Sequence, residues 1–291
     1  MAIQKKTILI TGACGWIGRN ITKKLEKNNN ITLKLTDSKK LNKKNFFKGD
    51  IQNKNFLNKI TKNVDIVYHF AAISDIDESN ADPFASLSIN LNCSINLINF
   101  CIKNKVNKII FGSSIYSLSS QGGIYSVTKR AVEDILQNLS KIKKIKFVIL
   151  RFGSIYGFRK NDTGSIKKLI FSALSTKKLI RNTEGNEVRR YISIDDTIDL
   201  CIEILKKKYE NKVINIVGKK KTAVRKIINH IAKKLKIKTI KYNKNKSLNY
   251  HYTINPNTYK IPMGKFIFKK NEKSITKEIN KFIDEKKIYV N

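Results

Sequence analysis

Tyr125 and Lys129 stand four residues apart in "YSVTK", and Tyr125 follows the second serine of "IIFGSS" by eleven residues. On a helix, that spacing puts phenol and ammonium on one face, one turn apart. An ammonium beside a phenol favours the phenolate, lowering a pKa that starts near about 10. A tyrosine so placed can take a proton from a substrate hydroxyl. Ser113 and Ser114 would supply hydroxyls nearby. Tyr-x-x-x-Lys alone is common, and a helix start with exposed Tyr and Lys reads the same way. The surrounding elements decide.

Those elements alternate. "KTILITG", "ITLKLTD", "VDIVYHFAA", "NKIIFGSS" and "IKFVILRFG" are apolar, β-branched runs that predict buried strands. "WIGRNITKKLEKN", "FASLSINLNCSINLINFCIKN" and "YSVTKRAVEDILQNLS" carry helical spacing between them. Repeated βα units predict an α/β fold, a Rossmann-like doubly wound parallel sheet with ligands at the carboxyl ends of its strands. After Gly157 the pattern loosens. A helix in "TGSIKKLIFSALS", another starting near Asp195 or Asp196, a strand in "KVINIVG" and a helix in "TAVRKIINHIAKKLK" follow. The expected division is 1–157 as the dinucleotide domain, rejoined by about 189–217. Residues 158–188 and 218–291 then form a smaller substrate-binding lobe.

"TGACGWIG" places Gly12, Gly15 and Gly18 between the first strand and first helix, where backbone N–H groups and the helix N-terminus meet a pyrophosphate. Asp37 ends the second strand, where a carboxylate accepts hydrogen bonds from an adenosine ribose. Asp50 in "KGDI" follows the third, where the adenine should lie. NAD is favoured over NADP because a 2′-phosphate would meet Asp37, although Lys39 and Lys40 keep NADP open.

The formal net charge is +37, which raises nucleic-acid binding. Only eight of the 59 basic residues are Arg, and no aromatic-basic recognition motif or zinc-finger spacing is present. The lysines are scattered among Asn and Ile, as an AT-rich coding sequence would give. We therefore expect no nucleic-acid partner, and a field that draws anionic substrates. Cys14, Cys93, Cys101 and Cys201 lack metal-ligand spacing, so free thiols and no metal are expected. "MAIQKKTILITG" turns polar too soon for a signal peptide, and no apolar run approaches a membrane span. The expectation is a cytoplasmic protein without membrane insertion.

Taken in order, Gly-x-x-Gly-x-x-Gly, the Asp of the second strand, "HFAA", "SINLNCSINLI", "IIFGSS", "YSVTK", "LRFGSIYG" and "RRYISIDD" resemble the extended short-chain dehydrogenase/reductase family. Within it, they resemble the nucleotide-sugar epimerase/dehydratase branch, over residues 5 to about 217. The resemblance implies Ser114 as catalytic hydroxyl, Tyr125 as acid/base and Lys129 as its partner and a ligand of the nicotinamide ribose. It implies cofactor contacts from Gly12, Gly15, Trp16, Ile17, Gly18, Asp37, Asp50, Ile51, Phe70, Ala71, Ala72 and Asn90. Ser113, Ser114, Ser154 and Arg189 would touch a nucleotide-diphosphate sugar, and His69 would be structural.

The departures matter too. Ile115 and Tyr116 stand where 4,6-dehydratases carry an acidic pair, which argues against water elimination. Ile115 also replaces the Cys of the deoxy-sugar epimerase-reductases. Ser154 stands for the usual Asn, and Arg190 for the usual Asp after Arg189. No Arg follows Arg225, leaving Lys241, Lys244 or Lys246 as point charges for a second diphosphate contact. The implied activity is NAD-dependent epimerisation of a nucleotide sugar at C4 through a transient 4-keto intermediate, in polysaccharide precursor synthesis. The alternative is an NAD(P)H-dependent reductase of a nucleotide-linked 4-keto-deoxy-sugar. A cofactor- or RNA-binding non-enzyme ranks last. A homodimer through helices 84–104 and 125–141 is expected.

Overall fold

The computed structural model describes residues 5–119, 121–181, 183–242 and 262–287. The apolar run "KTILIT" is β1 (Lys6–Thr11), with Ile8, Leu9 and Ile10 buried on both faces. Then come α1 (Trp16–Leu25), β2 (Ile31–Asp37), β3 (Phe46–Lys48), α2 (Lys54–Thr61), β4 (Ile66–His69), α3 (Ile76–Ala81), α4 (Pro83–Ser86) and α5 (Cys93–Lys103). β5 (Lys108–Ser114), α6 (Gly123–Lys141) and β6 (Lys146–Phe152) complete the repeating part. After it lie β7 (Ser154–Tyr156), α7 (Ser165–Thr176), β8 (Lys178–Arg181), β9 (Val188–Arg189), β10 (Tyr191–Ser193) and α8 (Ile194–Glu203). The last elements are β11 (Lys212–Ile216), β12 (Thr222–Ala223), α9 (Val224–Leu235), β13 (Thr239–Tyr242), β14 (Lys265–Ile267) and α10 (Ile275–Lys287).

Eight strands form one sheet in the order β14-β11-β6-β5-β4-β1-β2-β3. β3-β2-β1-β4-β5-β6 pair in parallel throughout. This is the doubly wound order, and its direction reverses between β1 and β4, which opens a crevice at their carboxyl ends. Leu9, Val67, Ile109 and Ile149 form the strand side of the core, against Leu97, Ile98 and Cys101 of α5 and Val132 and Leu136 of α6. Each such side chain contributes roughly 1.5–3 kcal/mol of burial.

The helix expected over "FASLSINLNCSINLINFCIKN" carries an irregularity. Residues Leu87–Asn92 between α4 and α5 wind as a π-helix. The whole helical run, Pro83–Lys103, is long and apolar enough to cross a membrane by length and composition, contrary to the expectation. Cys93, Leu97, Ile98 and Cys101 of this run pack in the core.

The chain divides into two compact units. Among the described residues, the first takes 5–152, 201–215 and 262–265, and the second takes 153–200, 216–242 and 266–287. The break falls after Phe152 rather than after residue 157, and the segment that rejoins is shorter than the expected 189–217. Residues 189–200 stay with the second unit because β10 pairs with β7, Tyr191 opposite Ser154. The second unit packs Ile166 and Ile170 of α7, Ile227, Ile228 and Ile231 of α9, and Ile279, Phe282 and Ile283 of α10 into its own core. Its β8–β13 and β9–β12 pairs were not foreseen. Lys244 and Lys246 lie outside the described residues.

Candidate active site

At the crevice, the chain turns from β1 into α1 through glycines with no room for a side chain. Gly12 has φ +70°, and a Cβ there would lie 2.6 Å from the Ala71 nitrogen. A Cβ on Gly18 would lie 2.1 Å from the Gly12 carbonyl oxygen. Gly15 is the N-cap of α1, so no side chain caps the helix where Trp16, Ile17 and Gly18 begin it. Such an end is suited to an anion. Asp37 reaches back from the end of β2. Its Oδ2 accepts from the Cys14 N–H at 2.9 Å and its Oδ1 from the Lys39 N–H at 3.0 Å. Two oxygens carry about four acceptor positions, so capacity remains for a ribose. Asp50 is exposed and holds Gln52 by backbone and side chain, and Ile51 beside it is buried in the core.

The other wall of the crevice follows β4. Phe70 donates its N–H to the Thr11 carbonyl at 3.2 Å, and its ring leans on Gly112, where a Cβ would come within 2.8 Å. Ala71 N–H reaches the Thr11 hydroxyl at 3.3 Å, and Ala72 continues the loop. Asn90 is buried within the π-helical turn and clamps Ile73. Its Oδ1 accepts from the Ile73 N–H at 2.8 Å, and its Nδ2 donates to the Ile73 carbonyl at 3.0 Å. Its side chain thus fixes the loop after β4. His69 bridges Thr11 at 2.7 Å and Ser94 at 2.9 Å. Burial, then the Lys129 charge, pushes its pKa down to about 3, so the ring is neutral and structural.

β5 and α6 bring the three candidate catalytic residues together. Ser114 acts on the Tyr125 phenol, lowering its pKa. Ser114 Oγ also accepts the Tyr116 N–H at 3.2 Å, which favours donation by its own proton elsewhere. Lys129 Nζ donates to the Gly112 carbonyl at 2.8 Å and lies 5.8 Å from the Tyr125 ring centroid. In the protein itself, burial pushes the Tyr125 pKa up to about 12, against the lowering by Ser114. The neighbouring Tyr116 adds to the rise, and the expected lowering by Lys129 is not among the causes. Burial likewise brings Lys129 down to about 8, with Glu133 acting upward.

Ser113, expected to touch substrate, is engaged within the protein. Its hydroxyl donates to Glu133 of α6, and it is 2 % exposed. Strand alternation explains the difference, since neighbouring residues point to opposite faces and α6 covers the face bearing Ser113. Two contributors escaped the sequence reading. Asn80 of α3 caps α6 from outside, accepting the Ile124 N–H at 3.1 Å beside Tyr125. Glu133 is gripped by Arg151 of β6, with Nη2 to Oε2 at 2.6 Å. A glutamate four residues after Lys129 was a legible signal; Asn80, distant in sequence, left none.

Ser154 and Arg189 lie in the second unit, on β7 and β9. Arg189 is buried, and its register partner is Thr222. The neighbouring Arg190 donates to the Gly218 carbonyl at 3.1 Å and the Lys219 carbonyl at 2.5 Å, and lies over the Phe266 ring. It ties down a turn, which accounts for an arginine where an acid was expected.

A doubly wound sheet, a glycine cradle at its switch point and a buried Ser/Tyr/Lys set define a Rossmann-type enzyme that works on a dinucleotide cofactor. The model of the NAD dependent epimerase/dehydratase family matches residues 8–217, and the chain belongs to that family. It is 28 % identical over 248 residues to a Methanocaldococcus jannaschii protein whose name carries UDP-glucose 4-epimerase as a provisional assignment, covering 77 % of this chain and 81 % of that protein. It is 29 % identical to the inverting UDP-N-acetylglucosamine 4,6-dehydratase of Campylobacter jejuni, covering 68 % of this chain and 62 % of the dehydratase's own length. The crystal structure of a Thermotoga maritima UDP-glucose 4-epimerase with UDP-glucose superposes with a TM-score of 0.78 at 19 % identity, covering 98 % of this chain and all of that one. That last likeness is one of fold.

Proposed function

We propose that the protein is an NAD-dependent nucleotide-sugar epimerase acting at C4 through a transient 4-keto sugar. The observation that carries this reading is the Ser114–Tyr125–Lys129 set at the carboxyl end of β5, in the same unit as the glycine cradle. NAD fits the cradle, and Asp37 suits its unphosphorylated ribose; when bound, it supplies the hydride acceptor. Tyr125 takes the proton of the sugar hydroxyl and later returns it. Ser114 donates to the same oxygen as carbonyl character develops. Lys129 holds positive charge next to Tyr125. A second positive charge on an oxidised nicotinamide would oppose the burial that keeps the phenol protonated. Arg189 would take the diphosphate. Ile115 and Tyr116 after Ser114 leave no acid for dehydration.

The test is to denature purified protein and quantify the released dinucleotide, then to screen UDP- and dTDP-sugars for epimers. Near-stoichiometric NAD and epimers lost in Tyr125→Phe are expected. Little retained cofactor with NADH-dependent turnover of a 4-keto sugar would favour the reductase instead. Full turnover by Tyr125→Phe would sink the mechanism.

A further inference from the structure

α6 carries a second buried ionic group that the acid/base chemistry does not use. Glu133 is 1 % exposed and lies one turn beyond Lys129. Arg151 Nε reaches its two oxygens at 3.1 and 3.0 Å, in addition to the Nη2 contact, and Ser113 donates to Oε1. The remaining Arg151 nitrogen, Nη1, donates to the Pro262 carbonyl at 3.0 Å. Removing two charges from water is costly, and apolar residues of similar volume often stabilise as well. Stability therefore does not account for the pair, but its position does. β5 makes two successive links to α6: the Gly112 carbonyl receives Lys129, and the Ser113 hydroxyl goes to Glu133. Residues 129 and 133 of the helix are thus registered on residues 112 and 113 of the strand.

We infer that Glu133 is a positioning residue for the Lys129 ammonium, holding that group charged and seated on the Gly112 carbonyl. This extends the reading of Lys129 as a working ammonium. The groups around Lys129 can be named element by element. Its own helix presents Tyr125 and Glu133. β5 presents the Phe111 ring, 4.9 Å from Nζ, and the Gly112 carbonyl. β4 presents neutral His69, and β6 presents Arg151, whose charge Glu133 offsets. Of these, the Glu133 carboxylate is the group that opposes the burial of Lys129. Without it, none of the groups named would oppose the burial of Lys129.

The experiment reads Lys129 directly. Trace labelling with acetic anhydride at a series of pH values, quantified on the peptide containing Lys129, gives its titration in the full chain without substrate. The wild type is expected to titrate near about 8. Glu133→Gln should titrate about one pH unit lower or more, a tenfold or greater loss of proton affinity. Glu133→Gln combined with Arg151→Met removes both charges and keeps the experiment readable if the single variant fails to fold. Lys129 should again titrate below wild type. Wild-type titration in the double variant overturns the inference, because any shift in the single variant would then belong to the unpaired Arg151. NAD titrations followed by Trp16, the single tryptophan, supply a separate readout. The pH at which affinity falls should move down with Lys129. If Lys129 shifts but NAD binds at no pH, the epimerase reading fails and the Glu133 inference stands. If NAD binds and Lys129 does not shift, the reverse holds.

Discussion

The two units place their candidate functional groups by different means. In the first, seven-residue strands β5 and β6 and the 19-residue helix α6 carry Ser114, Arg151, Tyr125, Lys129 and Glu133. These residues interlock, so each is fixed by several others. In the second, Ser154 and Arg189 sit on strands of three and two residues. There, Arg189 is buried on its two-residue strand, and Arg190 is committed to two backbone carbonyls. Long periodic elements fix a side chain's direction through their phase. Short strand pairs fix it through partners distant in sequence.

The sharpest way to break this contrast lies in the first unit. Gly18→Ala puts a methyl group 2.1 Å from the Gly12 carbonyl oxygen, so the cradle must open. NAD retention should be lost, with a stability cost of about 1–3 kcal/mol, read by dinucleotide release and urea unfolding. In the second unit, the two arginines should separate cleanly. Arg189→Ala should raise KM for the nucleotide sugar about 10–100-fold, as expected for a lost charged hydrogen bond. Arg190→Ala should cost about 1–2 kcal/mol of stability and leave KM near wild type. If the effects are exchanged, the diphosphate has been given to the wrong arginine.

A subtler difference is in pH dependence. The His69 pKa of about 3 in the folded chain lies below its ordinary 6.5. As pH falls from 6.5 toward 3, the unfolded chain takes up a proton that the folded one refuses. Stability should therefore fall with a slope of up to about 1.4 kcal/mol per pH unit from this residue. His69→Gln should flatten that limb in urea midpoints measured across the window. The smallest effect is expected from Asn80→Ala, which removes the external cap beside Tyr125. It should cost about 1 kcal/mol, with a few-fold fall in turnover from a less firmly held Tyr125.

The sheet was legible because buried parallel strands read as unbroken apolar runs, "KTILIT" and "FVILRF" among them. The association of Ser114, Tyr125 and Lys129 was legible because one strand end and one helical turn define it. The direction of Ser113 was not, since it depends on which face of β5 the helix covers. Nor was the Leu87–Asn92 π-turn, because one extra residue per turn leaves no mark in an already apolar run. β7, β9 and β12 have two or three residues each, too few to show a period. Their pairing is a tertiary fact, and it moved the unit boundary back to Phe152.

The Asp37 carboxylate, bonded to the backbone of Cys14 and Lys39, has a consequence for rates. The protein's own bonds hold the glycine turn in shape, so dinucleotide capture requires no ordering step. Stopped-flow mixing should show a single exponential whose rate rises linearly with NAD concentration. Asp37→Ala should introduce a plateau at high NAD, as loop ordering becomes slow enough to limit the reaction.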